Sequence, residues 1–509
     1  MAKKHRLFDK RWLWSKFSFY ELVGVVPRFD RAPFSSNEKY KCGEVRLIYR
    51  LAYKRDYQKE KIYSRLPMTF NMVFWLNNTA KQINDCQQMA EKWTETQITS
   101  HLAKASYFNL SNLKSLEVNL QVVRWPSSIR RDFGGYAEYI LRVFSPDLKK
   151  KKFVPTVMEN MIDVQKIKTS PKLKKELLSH LTTKENLIKF DQGIGTLPEK
   201  FLSKKALSIA FHGIARLANR PFDQIFKTKD FQNLDFNQTE FVKSPEAYLR
   251  RLNDMTCVGC HQSRSIAGFH FVGIDRPDTF SANAVKMARS GHLHLDLIRR
   301  NTYMQKLINK ESPEEKRGFS ERLETELGTY GAHCTLGKDP SFAKWTCEPG
   351  LECQSIDTAT NNNSVGVCLP KVNTFAGDPC DVGRVTQNQD PRKDKVIQKV
   401  SRACRSDQYC FRTSDGFPGG LCHNYCETIN DGEACGLIAF DGFNGCLGQN
   451  RPFTKCLEEF TGKISLKACS TQTPCRDDFV CARSTNNTGV CIPPYFLFQL
   501  RADGHPKPI

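Results

Sequence analysis

Apolar and polar positions alternate with a period of two over Glu44 to Tyr53, Met68 to Trp75, Leu116 to Val123 and Tyr139 to Phe144. That period marks half-buried strands and predicts an antiparallel sheet. Between the second and third of them the period lengthens: Asn78 can cap a helix whose apolar face takes Ile83, Cys86, Met89, Ala90 and Trp93, which turns Cys86 inward. From about residue 150 the helical period dominates. Ser170-Pro171 and Ser244-Pro245-Glu246 each offer an N-cap followed by the residue suited to a first helical turn, and Ser281 to Ile308 supplies a further helix. Beyond residue 330 the chain becomes a series of short turns between cysteines. The pattern predicts an α+β chain in three parts: a sheet-containing region over 1–150, a helical region over 151–330 and a disulfide-rich module over 331–509.

Composition sharpens this division. Only four of the 20 cysteines precede residue 334, and sixteen lie between Cys334 and Cys491. Cysteine-dense, turn-rich segments of this kind rely on disulfides, which do not persist in a reducing cytosol. A periplasmic or extracellular location is therefore expected, with an export leader ahead of MAKKHRLFDKRW, which has the charge of a leader but no apolar core. Loosely similar units recur: CEPGLECQSIDTATNNNSVGVCLP from Cys347 matches CRDDFVCARSTNNTGVCIPP from Cys475 in cysteine order and ending, and a weaker copy runs from Cys404 to Cys422. The longest apolar stretches, such as Leu207 to Phe211 and Tyr495 to Leu500, fall well short of the ~18 residues that span a bilayer, so no transmembrane segment is expected.

The net charge of +22 is uneven: residues 1–333 hold 57 Lys and Arg against 35 Asp and Glu, whereas residues 334–509 hold 19 of each. A basic body suits an anionic redox partner protein. Nucleic acid is not an expected partner of an exported chain, and lysine runs such as Lys149 to Lys152 read as solvated faces. The sequence sets no oligomeric state.

The chemically specific motif is Met255-Thr256-Cys257-Val258-Gly259-Cys260-His261-Gln262. Covalent c-type haem needs two thiols three residues apart, followed by an imidazole for the iron. Cys257 and Cys260 supply the thioether positions and His261 the proximal ligand, on a support formed by the preceding helix with Ala247, Leu249 and Leu252. Zinc would need a second close Cys or His pair, a redox dithiol a βαβ setting, and the remaining alternative is an ordinary disulfide. Parity favours haem. Removing Cys257 and Cys260 leaves sixteen C-terminal cysteines plus Cys42 and Cys86, an even set in which Cys42 and Cys86 can pair and tie sheet to helix.

A distal ligand, where one binds, comes from His270, in the phrase AGFHF, or from Met287, His292, His294 or His212. Ligation by both His261 and His270 points to electron transfer, an open distal position to peroxidase- or oxygenase-like chemistry. A third reading is an adhesive or interaction protein whose CxxCH is structural. No HExxH, GxSxG or GxxxxGK[ST] occurs, so zinc-protease, α/β-hydrolase and P-loop chemistry lack their markers.

The run CVGCHQSRSIAGFHF, from Cys257 to Phe271, resembles that of uncharacterised exported bacterial proteins with a cytochrome c-like haem site. The stretches ELVGVVPRFDRAP (21–33) and CGEVRLIYR (42–50) are similar to the same group. The resemblance spans about residues 15 to 300 and implies one covalent haem c, without implying a substrate. The C-terminal repeats resemble small secreted modules of the colipase and dickkopf type in style only. Some 250 residues precede the motif, unlike the layout of a small cytochrome c, which places the expected haem between the helical part and the sheet.

Overall fold

The computed structural model describes residues 10–35, 41–57, 60–76, 84–94, 108–123, 137–210, 219–258 and 291–319, and shorter stretches between 327 and 492. Each alternating stretch of the sequence lies in a strand of one antiparallel sheet. Its path runs β1 (Ser18–Arg28), β2 (Glu44–Tyr57), β3 (Glu60–Trp75), β4 (Leu113–Val123), β5 (Ala137–Asp147) and β6 (Lys152–Thr156), with β7 (Ala206–Ala210) paired to the other end of β5. β6 and β7 thus carry the sheet past residue 150.

The two faces of the sheet differ. On one, Val25, Leu47, Met72, Phe74 and Leu113 pack against α1 (Asn84–Thr94) and against Tyr303 of α6 (Gly291–Ile308). On the other, period-two alternation places Glu44, Arg46 and Arg50 of β2 beside Thr69 and Asn71 of β3 and Ser115 and Asn119 of β4, all buried. Cross-strand pairs satisfy part of this polar face: Arg50 donates to Glu21, its register partner, at 2.8 Å, and Arg46 donates to Glu117 at 3.0 Å. The alternation predicts these strands as half-buried, and it does not reveal that their polar face is covered as well. Here both faces are covered.

The pairing of Cys42 with Cys86 is borne out, joining the turn before β2 to α1. Gly43 lies in that turn at φ +86°, and a Cβ there would run into the Arg28 carbonyl oxygen, so the close approach of β1 and β2 requires glycine. Asn78 and residues 281–290 lie outside the described residues.

Among the described residues, four further helices lie between β6 and the motif: α2 (Val164–Lys168), α3 (Pro171–Leu181), α4 (Lys184–Asp191) and α5 (Pro245–Asp254). Ser170 and Ser244 cap α3 and α5 as expected, accepting from the Leu173 and Ala247 amides. Their core holds Leu177, Leu181, Phe190, Phe226, Phe231 and Leu252, each at most 1% exposed. The same core takes in Phe342, Val365 and Val367 from beyond residue 330, and Ser244 bonds Asp339 across that junction.

The C-terminal repeats share a backbone register. Hairpin β9 (Leu351–Ser355) and β10 (Val365–Pro370) sets Cys353 opposite Cys368; β11 (Gln408–Phe411) and β12 (Leu421–Asn424) set Cys410 opposite Cys422; β14 (Val480–Arg483) and β15 (Gly489–Ile492) set Cys481 opposite Cys491. In the first unit β8 (His333–Thr335) joins as a third strand, and Cys334–Cys353 and Cys347–Cys368 are disulfides. In the last unit β13 (Ala468–Cys469) takes the equivalent edge, with Cys469 opposite Gly489 as Cys334 is opposite Gly366.

Candidate functional site

The CxxCH begins where α5 ends. Every residue from Ala247 to Asp254 is buried, so this helix is a rod inside the core rather than an amphipathic face. Ala247, Leu249 and Leu252 supply the apolar contacts the sequence predicts. The polar residues between them are each given a partner. Tyr248 donates to the Leu181 carbonyl, and Asn253 accepts from the Phe222 amide at 2.9 Å. The Arg251 guanidinium donates to the carbonyls of Phe190, Asp191, Arg317 and Gly318. Burial, with Asp191 nearby, pushes the Tyr248 hydroxyl above its ordinary range, so it is a fixed donor.

Past the helix, Thr256 folds back on the Asn253 carbonyl, and Thr256, Cys257 and Val258 are at most 2% exposed. Cys257 Sγ lies 3.5 Å from the Glu159 carbonyl oxygen, and the Val258 carbonyl accepts from Ser208 Oγ of β7 at 3.5 Å. By strand register Ser208 stands on the polar face of the sheet, opposite Tyr139. The first half of the motif is therefore seated between the helical core and that face. Cys260, His261 and His270 lie outside the described residues, as do His212 and Met287. His292 and His294 stand at the start of α6.

The seat of Cys257 is held on both sides. Met158 donates to the Ser203 carbonyl and Ser203 to Met161, while Asn160, at φ +54°, donates to Gly195 and accepts from Leu197. Asp191 takes three amide hydrogens, from Glu240, Phe241 and Val242 at 2.8 to 2.9 Å, which ties α4 to the approach to α5.

Beside this seat lies an ion-pair network that sequence reasoning missed. Glu159 accepts from Arg31, which also lies 3.7 Å from Glu44. Glu44 pairs with Arg46 and Lys114, and Arg46 with Glu117. Adjacent to these, Asp30 takes Arg28, Arg299 and Arg317, and Asp296 takes Arg299 and Arg300. Burial alone would push the Asp30 and Glu44 carboxyls up; the guanidiniums around Asp30, led by Arg28, and Arg46 with Lys114 and Arg31 around Glu44, outweigh it and hold both well below the usual carboxylate range. Burial pushes the Glu117 carboxyl up despite Arg46. Much of the network comes from the two stretches, VPRFDRAP and CGEVR, on which the resemblance rests. The available signal was the spacing of Glu44, Arg46 and Arg50, charges at strand period on one face.

Cys334, Cys347 and Cys368 bring three sulfurs within 4.8 Å of one another. All three belong to the two stacked disulfides, and a disulfide sulfur lacks the thiolate charge that binds metal, so in this oxidised state the cluster is a staple. No helix among the described residues is long and apolar enough to cross a membrane.

Comparison with protein-family models, with curated proteins and with solved structures gives no match for this chain.

Proposed function

We propose that the chain is an exported monohaem c-type protein that carries electrons. Cys257 and Cys260 form the thioethers, His261 is the proximal ligand and His270 the distal one. The observation that carries this reading is the CVGCH sequence at the end of α5. Its setting agrees with what a covalent haem asks of a protein: the first thiol follows a helix buried from Ala247 to its end, in a water-poor seat between the helical core and a polar sheet face. Cysteine parity agrees as well, because Cys42 pairs with Cys86 and does not compete for Cys257. Bound haem supplies one-electron chemistry at its iron. The chain's own contribution is to fix Cys257 through α5 and Glu159, to exclude water there, and to offer a basic exterior to an anionic redox partner.

Production of the full-length chain with a cytochrome c maturation system tests the reading. A covalent haem mass on the tryptic peptide containing Cys257, together with a low-spin ferric spectrum, is the expected result. A peptide without haem overturns the assignment. A high-spin spectrum that changes with cyanide or peroxide replaces electron transfer by chemistry at an open iron.

A further inference from the structure

The ion pairs around Asp30 and Asp296 do not balance. Four guanidiniums, of Arg28, Arg299, Arg300 and Arg317, meet two carboxylates there, whereas around Glu44 three cations meet three carboxylates. Among the described residues the excess is two positive charges, on side chains no more than 20% exposed. Buried charge is stable only when paired. The strain is visible in the arginines themselves: burial and Arg28 push Arg300 down to about 10, and burial and Arg299 push Arg317 down to about 9.

An independent observation points the same way. Arg300 Nε and Arg31 Nε and Nη1 are buried donors with no hydrogen-bond acceptor. Arg31 is 3% exposed, its guanidinium lies over the Phe34 ring at 3.9 Å, and 3.7 Å from Nε to Glu44 is too long for a hydrogen bond. Buried donors in folded proteins are nearly always satisfied.

We propose that this network binds an oxyanion, a carboxylate- or phosphate-bearing group whose oxygens accept from unused guanidinium donors of the kind Arg300 and Arg31 present and whose charge offsets the excess around Asp30 and Asp296. The planar guanidinium fork is the side chain best matched to such oxygens. Two sources carry this chemistry. One is the pair of propionates on a haem attached at Cys257, because Glu159 meets the Cys257 thiol with its carbonyl and Arg31 with its carboxylate. The other is a free small anion such as inorganic phosphate. The propionate source rests on the haem reading above; the oxyanion site does not.

The first test uses the full-length C257A/C260A chain, in which no propionate competes, unfolded thermally in phosphate and in chloride at matched ionic strength. Binding to the native state raises the midpoint by mass action, so a saturable rise in phosphate and none in chloride is expected. Arg300→Gln raises the half-saturating phosphate concentration about tenfold, the worth of one charge-assisted hydrogen bond. Arg31→Lys, which keeps the charge beside Glu159, weakens it as well, with circular dichroism confirming that both variants fold. Equal rises in the two salts, or a phosphate response unchanged in both variants, overturns the proposal. The same titration on haem-loaded chain separates the sources: a response lost there assigns the site to propionates, a response kept assigns it to a free anion, and either upholds the site. A wild-type chain that acquires no haem under cytochrome c maturation yet still responds to phosphate sinks the haem reading and leaves the oxyanion site standing.

Discussion

Removing the Cys42–Cys86 bridge in the full-length C42A/C86A chain is expected to loosen α1 against the sheet by an amount that follows from chain length. The cysteines are 44 residues apart, and closing a loop of that size restricts the unfolded chain by about 4 kcal/mol at 25 °C. Packing adds little to this, because Ala keeps most of the small buried volume of Cys42, which is 1% exposed. The bridge acts on α1, β2 and the turn at Gly43, so hydrogen exchange read peptide by peptide is the suitable assay. A loss of about 4 kcal/mol lowers the protection of amides in α1 by roughly a thousandfold. The core around Leu181 and Phe231, which contains neither cysteine, changes little. A loss of less than tenfold in α1 would refute the reasoning and mean that Trp93, Ala90 and Tyr303 hold the helix by packing alone.

Other variants probe the seat of the motif and the charge network. Asp191→Ala leaves three amides without their acceptor and costs about 3 to 5 kcal/mol in urea unfolding, while Asp191→Asn, which keeps one carbonyl oxygen, costs roughly half. Asp30 and Glu44 have carboxyls held below their unfolded values near 4, so their stabilisation is complete above that pH and is lost as pH falls through the folded values; Glu117, pushed up, offsets a little of it. The thermal midpoint is therefore expected to be flat from about pH 7 to 5 and to fall steeply below about pH 4. A main loss between pH 7 and 6 would implicate histidine instead. The shared register of the first and last C-terminal units predicts that Cys469 pairs with Cys481 and Cys475 with Cys491, as Cys334 pairs with Cys353 and Cys347 with Cys368. Mass spectrometry of non-reduced tryptic peptides checks this, and a Cys469–Cys491 peptide would contradict it.

The strands and helix caps were legible because they depend on local periodicity: Glu44 to Tyr53, Met68 to Trp75, Ser170 and Ser244 all take their expected roles. β1 was not, since Gly24 and Pro27 interrupt its pattern, and five-residue β7 is too short to show one. The burial of Arg28, Asp30, Glu44 and Arg46 was hidden for a different reason. Arg299 and Arg317, which pair with Asp30, come from 269 and 287 residues away, and Lys114 and Glu117, which pair with Glu44 and Arg46, from 70 and 71 away; a charge with a distant counter-ion looks in sequence like one bound for water. Cys257 was legible as chemistry, but its seat on Glu159 and the contact of the neighbouring Val258 with Ser208 depend on packing that no local pattern encodes.

The burial of Cys257 also imposes an order of assembly. At 2% exposure its sulfur is out of reach of any enzyme or reagent once α5 has docked and Val258 has met Ser208. Whatever chemistry that sulfur undergoes, whether alkylation, oxidation or thioether formation, has to occur while the segment is still open. The contact with Glu159 closes across 98 residues, so it forms late compared with the local hairpins. Folding is thus a deadline for modification: a chain that closes too soon traps a bare thiol, and one that stays open exposes Cys257 to nineteen other cysteines. Mixed disulfides at Cys257 would be the mark of a chain that missed its window.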